Sequence, residues 1–134
     1  MTRDIPVGTT FTRTFTVDDT RAISFMGPEL RVYATPWIVQ DLEYACRDWL
    51  LEHIAAEEDS VGFRVKIQHK RGTPLGMTVT HTVTVATVDR DRVTFEIAVR
   101  DPIEEVATAR HTRVIVEKAR LARIVQAKRD RVRI

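Results

Sequence analysis

The segment 35–56 constrains the fold of this chain more than any other. It opens on Thr35-Pro36, which indicates a helix start because Thr can cap free N–H groups and Pro fits the first helical turn. At about 100° per residue, one broad face collects the apolar side chains: Ile38, Val39, Leu42, Ala45, Cys46, Trp49, Leu50 and His53. The opposite face carries charges that we expect in solvent: Asp41, Arg47, Asp48 and Glu52. A face this broad must be buried against the rest of the chain.

The rest of the chain supplies mainly strands. Threonine, β-branched and aromatic residues dominate five segments with alternating character, at residues 9–17, 60–70, 77–88, 93–100 and 105–116. Residues 72–76 and 89–92 indicate turns, the second a tight hairpin, and residues 117–128 have helical character with a stripe of Leu121, Ile124 and Val125. The order is one strand, a long helix and four strands in a meander. We therefore predict an α+β protein of hot-dog architecture, an antiparallel sheet wrapped around one long helix.

The length, charge and cysteine content of the chain restrict its class of function. With 134 residues we expect one domain over 1–134, with a core at about 5–128. The 21 basic and 19 acidic residues are too balanced to favour a nucleic-acid partner, although residues 118–133 are locally basic. Neither a signal peptide nor an apolar run long enough for a membrane span is expected. Cys46 is the single cysteine, no cluster suggests a metal, and we expect a cytoplasmic location.

Three side chains carry the chemistry of acyl transfer: the hydroxyl of Thr35, the carboxylate of Glu43 and the imidazole of His69. Each also has an ordinary structural explanation. Thr35 can be a helix cap alone, and Glu43 a surface charge or the partner of a lysine across a dimer. His69 continues the predicted inward alternation of residues 61–67, where a lone histidine is usually a satisfied core group. The residues alone leave these alternatives open.

Two further residue types have simpler interpretations. Cys46 lies on the apolar helix face, so a small core residue is favoured over a nucleophile. The other histidines are scattered along the chain. His111 lies near the end of a strand and could approach the site, but a place on the sheet surface is favoured for it.

Three segments, 33–46, 67–79 and 110–118, resemble the hot-dog thioesterases of the fluoroacetyl-CoA thioesterase-like family, in the same order and at similar spacing. The similarity spans about residues 5–128. It implies hydrolysis of a short or medium acyl-CoA, with CoA as part of the substrate and no separate cofactor. It also implies a homodimer whose site lies at the subunit boundary. The balance of charge and the lack of a long apolar run argue against a nucleic-acid or a membrane partner.

The resemblance assigns the family's catalytic threonine, glutamate and histidine to Thr35, Glu43 and His69. Substrate-binding positions are expected at Phe25, Met26, Gly76 and Arg113. Lys70, Arg71, Arg113 and the basic tail are candidates for the CoA phosphates. Residues 18–32 depart from the family's aromatic lid in length and composition, which argues against selectivity for a fluorinated acyl group.

Two other functions remain. A hot-dog module that binds acyl-CoA or a related metabolite without turnover would use the same pocket. A dehydratase is a weaker alternative, because its usual histidine and acidic signature on the helix is not evident.

Overall fold

A computed structural model describes residues 4–132; residues 1–3 and 133–134, including Arg133 of the basic tail and the start of the segment inspected for a signal peptide, lie outside it. The elements are β1 (Thr10–Thr16), α1 (Thr35–Leu51), β2 (Glu58–His69), β3 (Thr78–Asp89), β4 (Arg92–Arg100), β5 (Glu105–Glu117) and α2 (Lys118–Val132). The strands form one antiparallel sheet in the order β1-β3-β4-β5-β2. The predicted α+β class and the sheet-and-helix architecture are confirmed. No helix within residues 4–132 is long and apolar enough to cross a membrane.

The predicted four-strand meander is wrong in one respect. Only β3, β4 and β5 follow one another in the sheet, whereas β2 pairs with β5 at the far edge. β1 and β2 therefore lie on opposite edges of the sheet, and β3, β4 and β5, which follow one another through short turns, fill the centre. The hairpin at residues 89–92 is confirmed: Asp89 pairs with Arg92 around a two-residue turn, in which Arg90 has a φ of 57°.

The apolar face of α1 forms the core with the inward side chains of the sheet. The predicted inward set of β4 is buried throughout, at Val93, Phe95, Ile97 and Val99. α1 ends at Leu51 rather than near residue 56. The N–H groups of Glu52 and His53 bond back three residues, to Trp49 and Leu50, and this tighter turn ends the helix.

Strand β2 departs from the predicted alternation in its first half. Val61 and Phe63 were expected to point inward, but they are 39% and 48% exposed. The register between β2 and β5 shifts between Gly62 and Arg64, and such an irregularity reverses which residues face the core. Beyond the shift, residues 65, 67 and 69 are the more buried positions, as predicted.

Helix α2 follows β5 directly. None of its residues 118–132 is buried, and the predicted apolar stripe leaves Ile124 and Val125 exposed. Its side chains therefore add little to the core of one chain.

Asp41 was expected on the solvated face of α1, but it is 3% exposed and lies in a buried polar network. Arg21 donates two hydrogen bonds to its carboxylate, at 2.8 and 3.0 Å, and the Tyr33 hydroxyl donates a third at 2.6 Å. The Tyr33 oxygen lies 3.0 Å from Nε2 of His81. Because a buried carboxylate needs such partners, this network fixes the rotation of α1 about its axis.

His81 should make stability depend on pH. Burial lowers its pKa from 6.5 to about 4, so the unfolded chain binds the proton more readily. Stability from a neutral His81 is complete above about pH 6.5 and is lost as pH falls towards 4, by about 3 kcal/mol in total. Urea unfolding between pH 4 and 8 should show this slope, and His81→Gln should flatten it. An unchanged slope in that variant would show that other groups cause the pH dependence.

Candidate active site

The first residue of α1 lies against the last residue of β2. Oγ1 of Thr35 is 2.7 Å from Nδ1 of His69. Thr35 was expected to cap the helix, and that expectation is wrong: the cap position belongs to Ala34, and no side chain caps the helix. Ala34 has an extended backbone and its carbonyl accepts the first helical hydrogen bonds, so the Thr35 hydroxyl is free to bond with the imidazole.

His69 is half-buried at the point where β2 ends. Burial lowers its pKa, so the ring is neutral at pH 7. Its second nitrogen, Nε2, is buried and has no hydrogen-bond partner among residues 4–132.

Glu43 lies eight residues after Thr35 on α1, about 12 Å further along the helix axis. Its side chain is 38% exposed, and Oε2 is 3.8 Å from Nη1 of Arg113. The carboxylate also faces the register shift of β2, where a Cβ atom at Gly62 would lie 3.5 Å from both its oxygens. An open cleft of about 330 Å³ adjoins this carboxylate and is lined by Gln40, Glu43, Tyr44, Arg47 and Arg113.

Arg113 is the buried counterpart of Glu43. The residue is 4% exposed, and Nε and Nη2 donate to the hydroxyl and the backbone carbonyl of Ser60 at 2.7 and 2.8 Å. Nη1 is 3.1 Å from Nε2 of His111. Burial lowers the pKa of Arg113, and the carboxylate of Glu43 opposes this effect. The structure thus places Arg113 beside Glu43, with its guanidinium enclosed.

His111 was expected on the sheet surface, but it is fully buried. It shares the inward face of β5 with Arg113 and Ile115, in the period of two that a strand imposes. Its approach to the site, the less favoured alternative in the sequence, is the one that the structure shows, whereas Ser60 was not a candidate. The alternation of β5 indicates the position of His111, because residues two apart on a strand share a face and Arg113 was already a candidate site residue.

Cys46 is a buried core residue, as predicted. Burial raises the pKa of its thiol to about 12, so the thiol stays protonated at neutral pH. A protonated buried thiol is inert as a nucleophile.

The structure therefore joins Thr35 to His69 and Glu43 to Arg113, and α1 connects the two pairs. The other predicted substrate-binding residues lie in loops apart from these contacts. Phe25 and Met26 are 80% and 51% exposed. Gly76 occupies a turn with a φ of 97°, and its N–H donates to the carbonyl of Val17 at 2.7 Å.

Known proteins share the sequence pattern and the fold of this chain. The sequence profile of the fluoroacetyl-CoA-specific thioesterase family matches residues 17–119. The fluoroacetyl-CoA thioesterase of Streptantibioticus cattleyicolor is 27% identical over 117 residues, which cover 82% of this chain and 84% of the relative.

Solved structures give the same result. A structure of the fluoroacetyl-CoA thioesterase superposes with a TM-score of 0.84 at 26% identity, covering 92% of this chain and 97% of that chain. A hot-dog-like protein from Thermanaerovibrio acidaminovorans gives 0.85 at 27% identity, with 92% of each chain covered. A thioesterase superfamily member from Thermus thermophilus shares the fold, with a TM-score of 0.89 at 24% identity and 98% of each chain covered.

The profile match spans most of the chain, and the relatives are thioesterases with the same architecture. The chain therefore belongs to the fluoroacetyl-CoA-specific thioesterase family, and with it to the hydrolases of CoA thioesters.

Proposed function

We propose that this chain hydrolyses short or medium acyl-CoA thioesters with Thr35, Glu43 and His69. The observation that carries the proposal is the 2.7 Å contact between the Thr35 hydroxyl and the His69 imidazole at the start of α1. A helix N-terminus favours negative charge, which develops on the carbonyl oxygen during acyl transfer. The Thr35 hydroxyl and a neutral His69 add polar contacts at the same place.

Glu43 supplies the negatively charged group. It either removes a proton from the attacking water or attacks the thioester carbonyl itself, with water then hydrolysing the anhydride. In both routes the C–S bond breaks, the acyl group leaves as a carboxylic acid, and the CoA sulfur takes up a proton. The Thr35–His69 pair would polarise or orient the reacting groups in either route.

We propose that the active form is a homodimer with the site at the subunit boundary. Thr35 and Glu43 are about 12 Å apart along one helix axis, so the Thr35–His69 pair of one chain needs a carboxylate from elsewhere if the groups are to meet. The edge strand β2 also exposes Val61 and Phe63, and neighbouring α1 exposes Tyr44. Exposed apolar side chains on an unpaired edge are typical of an interface between subunits.

The dimer can be tested directly. At micromolar concentration, sedimentation should show a dimer, and Phe63→Glu should shift it towards the monomer with a loss of turnover. Ile103→Glu introduces the same charge at an exposed apolar side chain in the turn between β4 and β5, and it serves as the control. A monomeric protein with full activity would contradict the shared site.

We propose that the loop that precedes α1 contributes to selection of the acyl group. Phe25 and Met26 are mostly exposed, so truncation should leave the melting temperature unchanged. If they cover the acyl group as a lid, Phe25→Ala removes about 1–3 kcal/mol of apolar contact with substrate. We expect a changed ratio of rates between short and long acyl-CoAs. An unchanged ratio in both Phe25→Ala and Met26→Ala would rule out the lid.

The alternative function, a module that binds acyl-CoA without turnover, differs only in chemistry. A panel of acyl-CoAs of increasing chain length, followed by free-thiol detection and by calorimetric binding, separates the two functions. Catalytic release of CoA, with the highest rate on a short or medium chain, is the result we expect. Saturable binding without thiol release across the panel would establish the sensor instead.

A further inference from the structure

The environment of His111 permits only one form of its ring. Nδ1 is 2.8 Å from the backbone carbonyl of Arg64, which can only accept a hydrogen bond, so Nδ1 must carry the proton. Nε2 is 3.1 Å from Nη1 of Arg113, which can only donate, so Nε2 must be a bare acceptor. Neither the other neutral tautomer nor the doubly protonated ring satisfies both neighbours.

The Arg113 guanidinium, which donates to His111, has further partners. Ser60 takes hydrogen bonds from Nε and Nη2, which leaves Nη1 shared between His111 and the charge contact with Glu43 at 3.8 Å. Because Arg113 is only 4% exposed, it cannot follow the half-exposed Glu43 towards solvent. The carboxylate is therefore attracted to a cation whose place is set by Ser60 and His111.

We propose that His111, as the neutral Nδ1–H tautomer, is a positioning residue that holds Arg113 against the Glu43 carboxylate. This inference rests on the proposed catalytic role of Glu43. A second proton on His111 would place an N–H opposite the N–H of Arg113 and a positive charge beside a buried cation. The other groups that bear on the ring are Glu43, on α1, and the Arg64 carbonyl, on β2. Burial disfavours the charged ring, which keeps His111 in the form that its neighbours require.

The test compares two replacements of His111. Gln never takes up the second proton, and its side-chain oxygen can accept from Arg113 where Nε2 does, whereas Leu removes the acceptor at similar volume. On the best acyl-CoA, we expect His111→Leu to lower kcat by about tenfold or more with KM changed less than about twofold, and His111→Gln to stay within about threefold of the natural chain. If kcat falls equally in both variants, and the fall follows the decrease in their melting temperatures, the proposal is overturned.

Coupling to Arg113 separates positioning from general packing. If His111 acts through the guanidinium fork, its loss should matter little once Arg113→Lys has removed that fork. We expect His111→Leu to lower kcat by less than about twofold in the Arg113→Lys background. A full tenfold loss there would show that His111 acts independently, which would contradict the proposal.

A measurement without turnover keeps this proposal distinct from the proposed function. In ¹⁵N NMR of the natural protein at pH 7, His111 should show a protonated Nδ1 and a bare Nε2. The opposite tautomer would overturn the positioning role even in an active enzyme. If no acyl-CoA is hydrolysed but the predicted tautomer is present, the failure lies in the proposed function.

Discussion

Glu43→Gln should reduce acyl-CoA turnover by about two to four orders of magnitude while the protein stays folded. Glutamine keeps the size of the side chain and the contact with Gly62, but it removes the charge that faces Arg113 at 3.8 Å. Without a carboxylate, neither activation of water nor attack on the thioester is available. Steady-state release of free thiol is the measurement, with the melting temperature recorded for the same preparation.

Glu52→Gln is the matched control, because it makes the same chemical change at an exposed residue immediately after α1. It should leave turnover and melting temperature within experimental scatter. Near-normal turnover by the Glu43→Gln protein on its best substrate would remove Glu43 from the mechanism.

Asp41→Ala should lower the free energy of unfolding by about 3–5 kcal/mol. The substitution leaves Arg21 without the carboxylate that accepts two of its hydrogen bonds, and Tyr33 without its acceptor at 2.6 Å. Tyr33 is 1% exposed, so water cannot readily replace the lost partner.

Urea unfolding should be measured for Asp41→Ala and for Asp48→Ala, which removes an exposed carboxylate of the same helix. Asp48 is 56% exposed and lies 3.9 Å from Arg47, so its removal should cost less than about 1 kcal/mol. A cost for Asp41→Ala as small as that for Asp48→Ala would mean that the buried network does not secure the helix.

Much of the fold could be predicted because period and apolar character agree. The broad face of α1 and the alternation of β4 leave few alternatives. The predicted face of β4 is buried throughout, and that of α1 is buried except at Val39 and at His53, which lies beyond the end of the helix. The place of β2 could not be predicted in this way. Strand order depends on which edges meet in three dimensions, and the register shift beside Gly62 reversed an alternation that had seemed continuous.

The candidate site shows a second reason for failure. The sequence of a helix or strand does not distinguish a charged residue that faces water from one that faces a buried partner. Asp41 was therefore placed in solvent and His111 on the sheet surface, although both are buried. The partner of Asp41 is Arg21, 20 residues earlier in the chain, so no local spacing indicates that pairing. Arg113 lies two residues after His111 on β5, and the period of two along the strand is the local pattern that relates them.

The contact between Thr35 and His69 illustrates the same limit on a smaller scale. Thr35-Pro36 indicates a helix start, and the helix does begin there. Whether the hydroxyl turns back onto the helix or across to β2 depends on where His69 lies, which only the fold determines. Its catalytic role stays a prediction.

Free-thiol release from a short acyl-CoA should be measured for the natural chain and for three variants, Thr35→Val, Glu43→Gln and His69→Gln. We expect catalytic turnover by the natural chain and a loss in each variant, largest for Glu43→Gln, with all four proteins equally folded by circular dichroism. Turnover that persists unchanged in all three variants, or no turnover by the natural chain on any acyl-CoA, would contradict the proposed function.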